Sequence, residues 1–205
     1  MASEQTTYLR EDGDLTLIVG EEKQRVIVCR GTISGVCKAW NTMFTNSKFS
    51  EATAPEVEMP DDDPEAMLII LKIAHLKFDQ LPGKKMSLDE LHNLATVCDK
   101  YDTVAVIRPF LPNWIEAWLE LLGQGDSERN ERNCAGNEKF LWVAWVFGYK
   151  RQFKNLAKYL QLTISTNEEG RCLTAAGLVL EDEQMPPNLM GKYRSLRRRF
   201  AFDYR

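Results

Sequence analysis

Between Asp12 and Phe44 the hydrophobic pattern changes period, and that change restricts the fold more than any other stretch. Leu15, Leu17 and Val19 alternate with Thr16 and Ile18, and Val26 and Val28 alternate with Arg25 and Ile27. A period of two in β-branched residues, interrupted by Gly20-Glu21-Glu22-Lys23, predicts two antiparallel strands joined by a tight connection. Ile33, Val36, Cys37, Trp40, Met43 and Phe44 then recur at helical spacing, so the hairpin feeds a helix or helix pair with one apolar face. No residue of the stretch has the setting of a nucleophile, a metal ligand or a phosphate cradle.

The remaining chain continues in helices. Residues 1–11 are polar and are expected to be mobile as far as Tyr8 or Leu9, a flexible N-terminus. Residues 45–55 read as a loop around Phe49, and Glu56-Val57-Glu58-Met59 alternates like a short edge strand. Asp62 or Asp63 can cap a helix that Pro64 opens, and the apolar run Met67 to Ala74 makes this the central, mostly buried helix. Ser87 and Glu90 have capping-box spacing ahead of Leu88, Leu91, Leu94, Ala95 and Cys98. Thr103 can cap a third helix, which must bend near Pro109 and Pro112 before the stripe of Trp114, Ile115, Trp118, Leu119 and Leu122. Residues 123–137 are polar and aperiodic, a linker. Asn137 can cap a helix carrying Phe140 to Phe147, Gly148 interrupts it, and Phe153, Leu156, Ala157 and Leu160 stripe another. Residues 163–185 read as loop, and Pro186-Pro187-Asn188 starts a last helix bearing Leu189, Met190, Tyr193 and Leu196.

Five blocks in this order resemble the BTB/POZ family, in its compact fungal type. They are Asp14 to Gly20, the second strand, Trp40 with Met43-Phe44, Glu58 to Ala66, and Ala95 with Asp99 to Asp102. The likeness spans 12–122 and leaves 138–205 as a helical C-terminal extension, which the Ala144-Trp145-Val146-Phe147-Gly148-Tyr149 block also resembles. Cys29-Arg30 stands where the family often has His-Lys, and Cys37 to Trp40 replaces a common Ser-Pro turn. The resemblance implies an α+β BTB/POZ fold, a small mostly antiparallel sheet flanked by helices, and an adaptor that acts by protein–protein interaction. Phe49-Ser50-Glu51 resembles the hydrophobic-x-Glu element of cullin-binding members. On that reading Phe49 fills a pocket and Glu51 sets register, with Met43 and Phe44 beside them as partner contacts. The other reading folds Phe49 onto its own core. The implied partner is the cullin scaffold of a RING ubiquitin ligase or a second BTB chain. Eleven residues ahead of the first strand, at roughly 3.3–3.6 Å each, suffice for one exchanged strand but not for a strand plus a helix. The alternatives are a self-associating nuclear or transcriptional co-regulator and, from a different class, an uncharacterised enzyme.

Composition narrows the remaining classes. A net charge of −4 over 205 residues opposes general nucleic-acid binding, which needs a positive surface. Five cysteines without a CxxC pair, and two histidines, make no zinc pattern. No N-terminal signal segment or glycosylation sequon is visible, and Phe140 to Phe147 is too short to cross a bilayer, so a cytoplasmic or nuclear protein without membrane attachment is expected. Enzyme templates fail: Gly83-Lys84 lacks the first glycine of a phosphate loop, and Gly31 to Gly35 is not a nucleophile elbow. Neither catalytic residues, a cofactor nor a metal is expected. Asp61 to Asp63 suit a helix cap better than a cation. Arg194, Arg197, Arg198 and Arg199 read as a solvated face or an import signal. Trp142, Trp145 and Phe147 read as core rather than a peptide groove. His75 and His92 read as satisfied boundary side chains, and Cys98 as inert.

Overall fold

Backbone pairing in the computed structural model realises the change of period directly. The structure describes residues 6–83, 85–123, 132–187 and 189. Thr6–Tyr8 (β1), Leu15–Val19 (β2), Gln24–Val28 (β3) and Glu56–Met59 (β4) form a sheet in the order β1-β3-β2-β4. Strands β2 and β3 pair antiparallel with Leu15 opposite Val28 and Leu17 opposite Val26. These four side chains and Val19 are buried on one face. A slip of one residue would turn all of them to the other side, so burial of that face holds the register. The connection closes through a Lys23 N–H to Gly20 carbonyl bond of 3.1 Å, with both residues at positive φ.

Two expectations about the sheet need correction. It is mixed rather than mostly antiparallel, because β1–β3 and β2–β4 are both parallel. Parallel β2 and β4 are joined through β3 and residues 29–55, which return the chain past β2; a period of two carries no information on strand direction. The N-terminal stretch expected to be mobile is a strand from Thr6, followed by Leu9, which is buried and donates its N–H to Ile27 at 3.0 Å. The free edge of β3 offers backbone partners that outweigh the polar character of Thr6 and Thr7.

Helix α1 (Arg30–Ser34) and helix α2 (Lys38–Thr45) follow the hairpin as a pair. Asp63 caps α3 (Pro64–Ala74), accepting from the Ala66 N–H at 2.8 Å with Pro64 in the first turn. Met67, Ile70 and Leu71 are fully buried there, which makes α3 central. The capping box of α4 (Leu88–Tyr101) is complete: the Glu90 N–H donates to Ser87 Oγ at 3.2 Å, and the Ser87 N–H to Glu90 Oε2 at 2.6 Å. The helix expected to bend is instead broken into α5 (Val104–Ile107) and α6 (Leu111–Gly123), with Pro109 in the gap and Pro112 in the first turn of α6. The Thr103 hydroxyl makes no capping bond to α5.

The chain divides into two compact units, Met1–Trp114 and Ile115–Arg205, whereas the sequence resemblance ends at Leu122. In the second unit α7 (Phe140–Phe147) is buried nearly all round and stops at Gly148, whose φ is +82°. The next helix, α8 (Lys150–Thr163), returns Gln152 and Asn155, whose amides donate to the Leu119 and Leu122 carbonyls at 2.9 Å each. Asn133 does the same for Leu121 at 2.9 Å, so three side-chain amides bond carbonyls in the last turns of α6. Lys139, not Asn137, occupies the cap position of α7; Asn137 contributes its carbonyl to the Phe140 N–H at 3.0 Å. Residues 163–185 are not plain loop. Ser165–Thr166 (β5) and Cys172–Leu173 (β6) pair antiparallel, and the Glu181 carboxylate accepts from the Cys172 N–H at 2.9 Å. Strands of two residues carry no period to read. The 124–131 part of the expected linker, Lys84, the last helix apart from buried Leu189, and the arginines at 194–199 lie outside the described residues.

Candidate interaction surface

Everything that positions Phe49 and Glu51 lies in the first unit. Helix α2 ends at Thr45, and extended Asn46 starts a loop. The Asn46 Oδ1 accepts the Lys48 N–H at 3.0 Å, and its carbonyl the Phe49 N–H at 3.0 Å. These bonds of an Asn side chain to its own turn set the chain direction locally. Phe49 is then extended (φ −99°, ψ 134°) and leads into a single 3₁₀ turn, Ser50–Ala52. The Ser50 hydroxyl donates to Glu51 Oε2 at 3.1 Å.

The Phe49 side chain is 45% exposed, so it does not fold back onto the core. Glu51, on the same turn, and Met43, on α2, are half-buried. Phe44 must be removed from the candidate contacts. It is 2% exposed, and the Arg30 guanidinium sits over its ring at 5.8 Å, so it belongs to the interior face shared with Trp40. The signal was present in the sequence, since Trp40 and Phe44 are four apart on one helix.

Arg30 was not legible as a site residue. Its guanidinium donates to the carbonyls of Glu51, within the turn, and Ala54, just beyond it. Its own N–H donates to Asp14 Oδ1 at 2.7 Å, and its carbonyl accepts from Ser34 Oγ at 2.8 Å.

The start of α1 is also tied to α3. The Cys29 N–H donates to His75 Nε2 at 3.0 Å, while His75 Nδ1 lies 2.9 Å from the Leu71 carbonyl and therefore carries the proton. Burial, with Arg10 and Lys77 adding repulsion, holds the His75 pKa below its ordinary value. The folded state thus favours the neutral ring. That contribution to stability is present above an unfolded-histidine pKa of about 6.5 and is lost as pH falls below it toward the lower folded value. The thermal midpoint of the wild type should fall between about pH 6.5 and pH 5 more than that of His75→Gln, in differential scanning fluorimetry at both ends of the window. Parallel curves would remove His75 as the titrating group.

The other candidates separate clearly. Trp142 and Phe147 are core, but Trp145 is 46% exposed and meets the Phe153 ring at 5.8 Å. Burial pushes the Cys98 thiol up to about 12, and none of the five cysteines is in a disulfide. Asp62 and Asp63 are committed to protein partners, and among the described residues no group of three His, Cys, Asp or Glu side chains is placed to hold a metal ion. A cavity of about 430 Å³ lies against α3 and α4, lined by Ile69, Met86, Lys72, Asp63 and Glu90 among others. Its Asp63 and Glu90 carboxylates are occupied as helix caps rather than converging on the space. Among the described residues no helix is long and apolar enough to cross a membrane. No model of a known protein family matches the chain, and no curated protein matches its sequence.

Proposed function

We propose that the chain is a BTB/POZ-type adaptor that docks a scaffold protein through the loop carrying Phe49 and Glu51, the scaffold being the cullin of a RING ubiquitin ligase. The observation that carries this reading is the exposure of Phe49 on a loop whose backbone is hydrogen-bonded on both sides of it. A large aromatic ring left in water costs solvation free energy in the free protein, and a partner's pocket recovers it. The order hairpin, helix pair, parallel strand, central capped helix supports the BTB assignment. Pairing of β1 with β3 of its own chain supports a docking adaptor over a homodimer that exchanges this strand. The protein would act in the cytoplasm or the nucleus.

Phe49→Ala and Glu51→Lys should each weaken capture by the immobilised N-terminal half of a cullin at least about tenfold, the loss ordinary for a central contact. Each thermal midpoint should stay within about 2 °C of the wild type, because surface changes move stability little. Capture that both substitutions leave unaltered removes the cullin reading.

A further inference from the structure

Phe49 faces solvent on a hydrogen-bonded loop, and one side chain from outside the loop donates to two of its carbonyls. We propose that Arg30 is the positioning residue of the 46–55 loop: it fixes the conformer that presents Phe49, and scaffold affinity depends on that hold. The affinity clause rests on the docking reading above; the hold on the loop does not.

Three features carry the proposal. The guanidinium ties the 3₁₀ turn to the segment after it, donating to the Glu51 carbonyl within the turn and to the Ala54 carbonyl beyond its end. Hydrogen bonds from an ionised donor are stronger than neutral ones, and a planar fork with several N–H groups reaches two acceptors without rotating. Arg30 is itself immobilised from three sides. Buried Phe44 lies beneath the guanidinium, Asp14 holds the main-chain N–H, and the α1 backbone carries the rest. Finally, apart from the anchors at its two ends, Asn46 N–H to the Thr42 carbonyl and Thr16 N–H to the Pro55 carbonyl, the backbone bonds that remain without Arg30 are local to the loop, such as Phe49 N–H to the Asn46 carbonyl and Ala54 N–H to the Ser50 carbonyl. A segment with only local bonds samples many conformers, and a partner must then order it on binding. Arg30 removes that ordering requirement in advance.

The test compares Arg30→Met, which keeps an apolar stem over Phe44 and removes every donor, with Arg30→Lys, which keeps charge on a single ammonium. Amide hydrogen exchange is followed over 50–54, over α3 and over α4, alongside binding to the same immobilised cullin fragment. Arg30→Met should speed exchange over 50–54 about tenfold or more with α3 and α4 unchanged, and weaken binding about tenfold; Arg30→Lys should fall between. Unchanged exchange over 50–54 overturns the proposal, and so does acceleration spread equally over α3 and α4, which marks a general loss of stability. A loosened loop with unchanged affinity overturns the affinity clause. If the wild type does not bind the fragment, the docking reading and the affinity clause fall together. The exchange comparison then still upholds or overturns the hold of Arg30 on the loop.

Discussion

Trp40→Ala should lower the unfolding free energy by about 3–5 kcal/mol, the range for truncating a large aromatic side chain in a core. Trp40 is fully buried on α2, and its ring meets Tyr101 of α4 at a centroid distance of 5.3 Å and an angle of 52°. Removing it opens a cavity where α2 meets α4 and forfeits that ring contact. Against a total stability of about 5–15 kcal/mol for an ordinary domain, the variant should be near its unfolding midpoint in mild urea. A second substitution separates volume from polarity. The Trp40 indole N–H is buried and finds no acceptor among the described residues. Trp40→Phe therefore loses ring volume but relieves an unpaired donor, and it should cost about 1 kcal/mol. Urea titrations by circular dichroism with a common slope check both values. A Trp40→Ala loss below about 1 kcal/mol would mean that the site collapses freely and that α2 is not anchored there.

The second large effect concerns the turn before α3. Asp62 is 4% exposed and accepts two charge-assisted bonds, from Tyr101 Oη at 2.6 Å and Lys100 Nζ at 2.7 Å. The Tyr101 hydroxyl is held far above its ordinary pKa, first by burial and then by its bond to Asp62 and that carboxylate's charge, so it remains a donor. Asp62→Ala strands a buried hydroxyl, while the part-exposed Lys100 ammonium can turn to water. The expected loss is about 2–3 kcal/mol. Tyr101→Phe alone leaves the carboxylate its lysine and should cost about 1–2 kcal/mol. In the double variant the two losses should fall short of additivity by about 1 kcal/mol, because each single change removes the same bond. Strict additivity would deny the coupling. The sign with pH follows: a phenol whose folded pKa is raised contributes stability below its unfolded value of about 10, and that contribution is lost as pH rises beyond it.

Local signals were the legible part of this fold. The hairpin, the Asp63 cap and the Ser87–Glu90 box each depend on residues within a few positions, and each forms as its spacing implies. The direction of β1 and β4 depends on where the chain goes between strands, which no period encodes. Arg30 escaped for the same reason, since its acceptors lie 21 and 24 residues away and are backbone atoms without residue-type signature. Phe44 lies one helical turn after Trp40 and shares its buried face.

Strand β4 closes the sheet order on one side, and its outward residues are Glu56 and Glu58. An unprotected rim is an invitation to fibril-like stacking when a protein is concentrated. Two like charges at alternate positions oppose lateral addition of an identical rim, although Glu56 is paired with Arg25. The acidic rim of β4 therefore disfavours edge-to-edge addition at a strand that directly follows the loop carrying exposed Phe49.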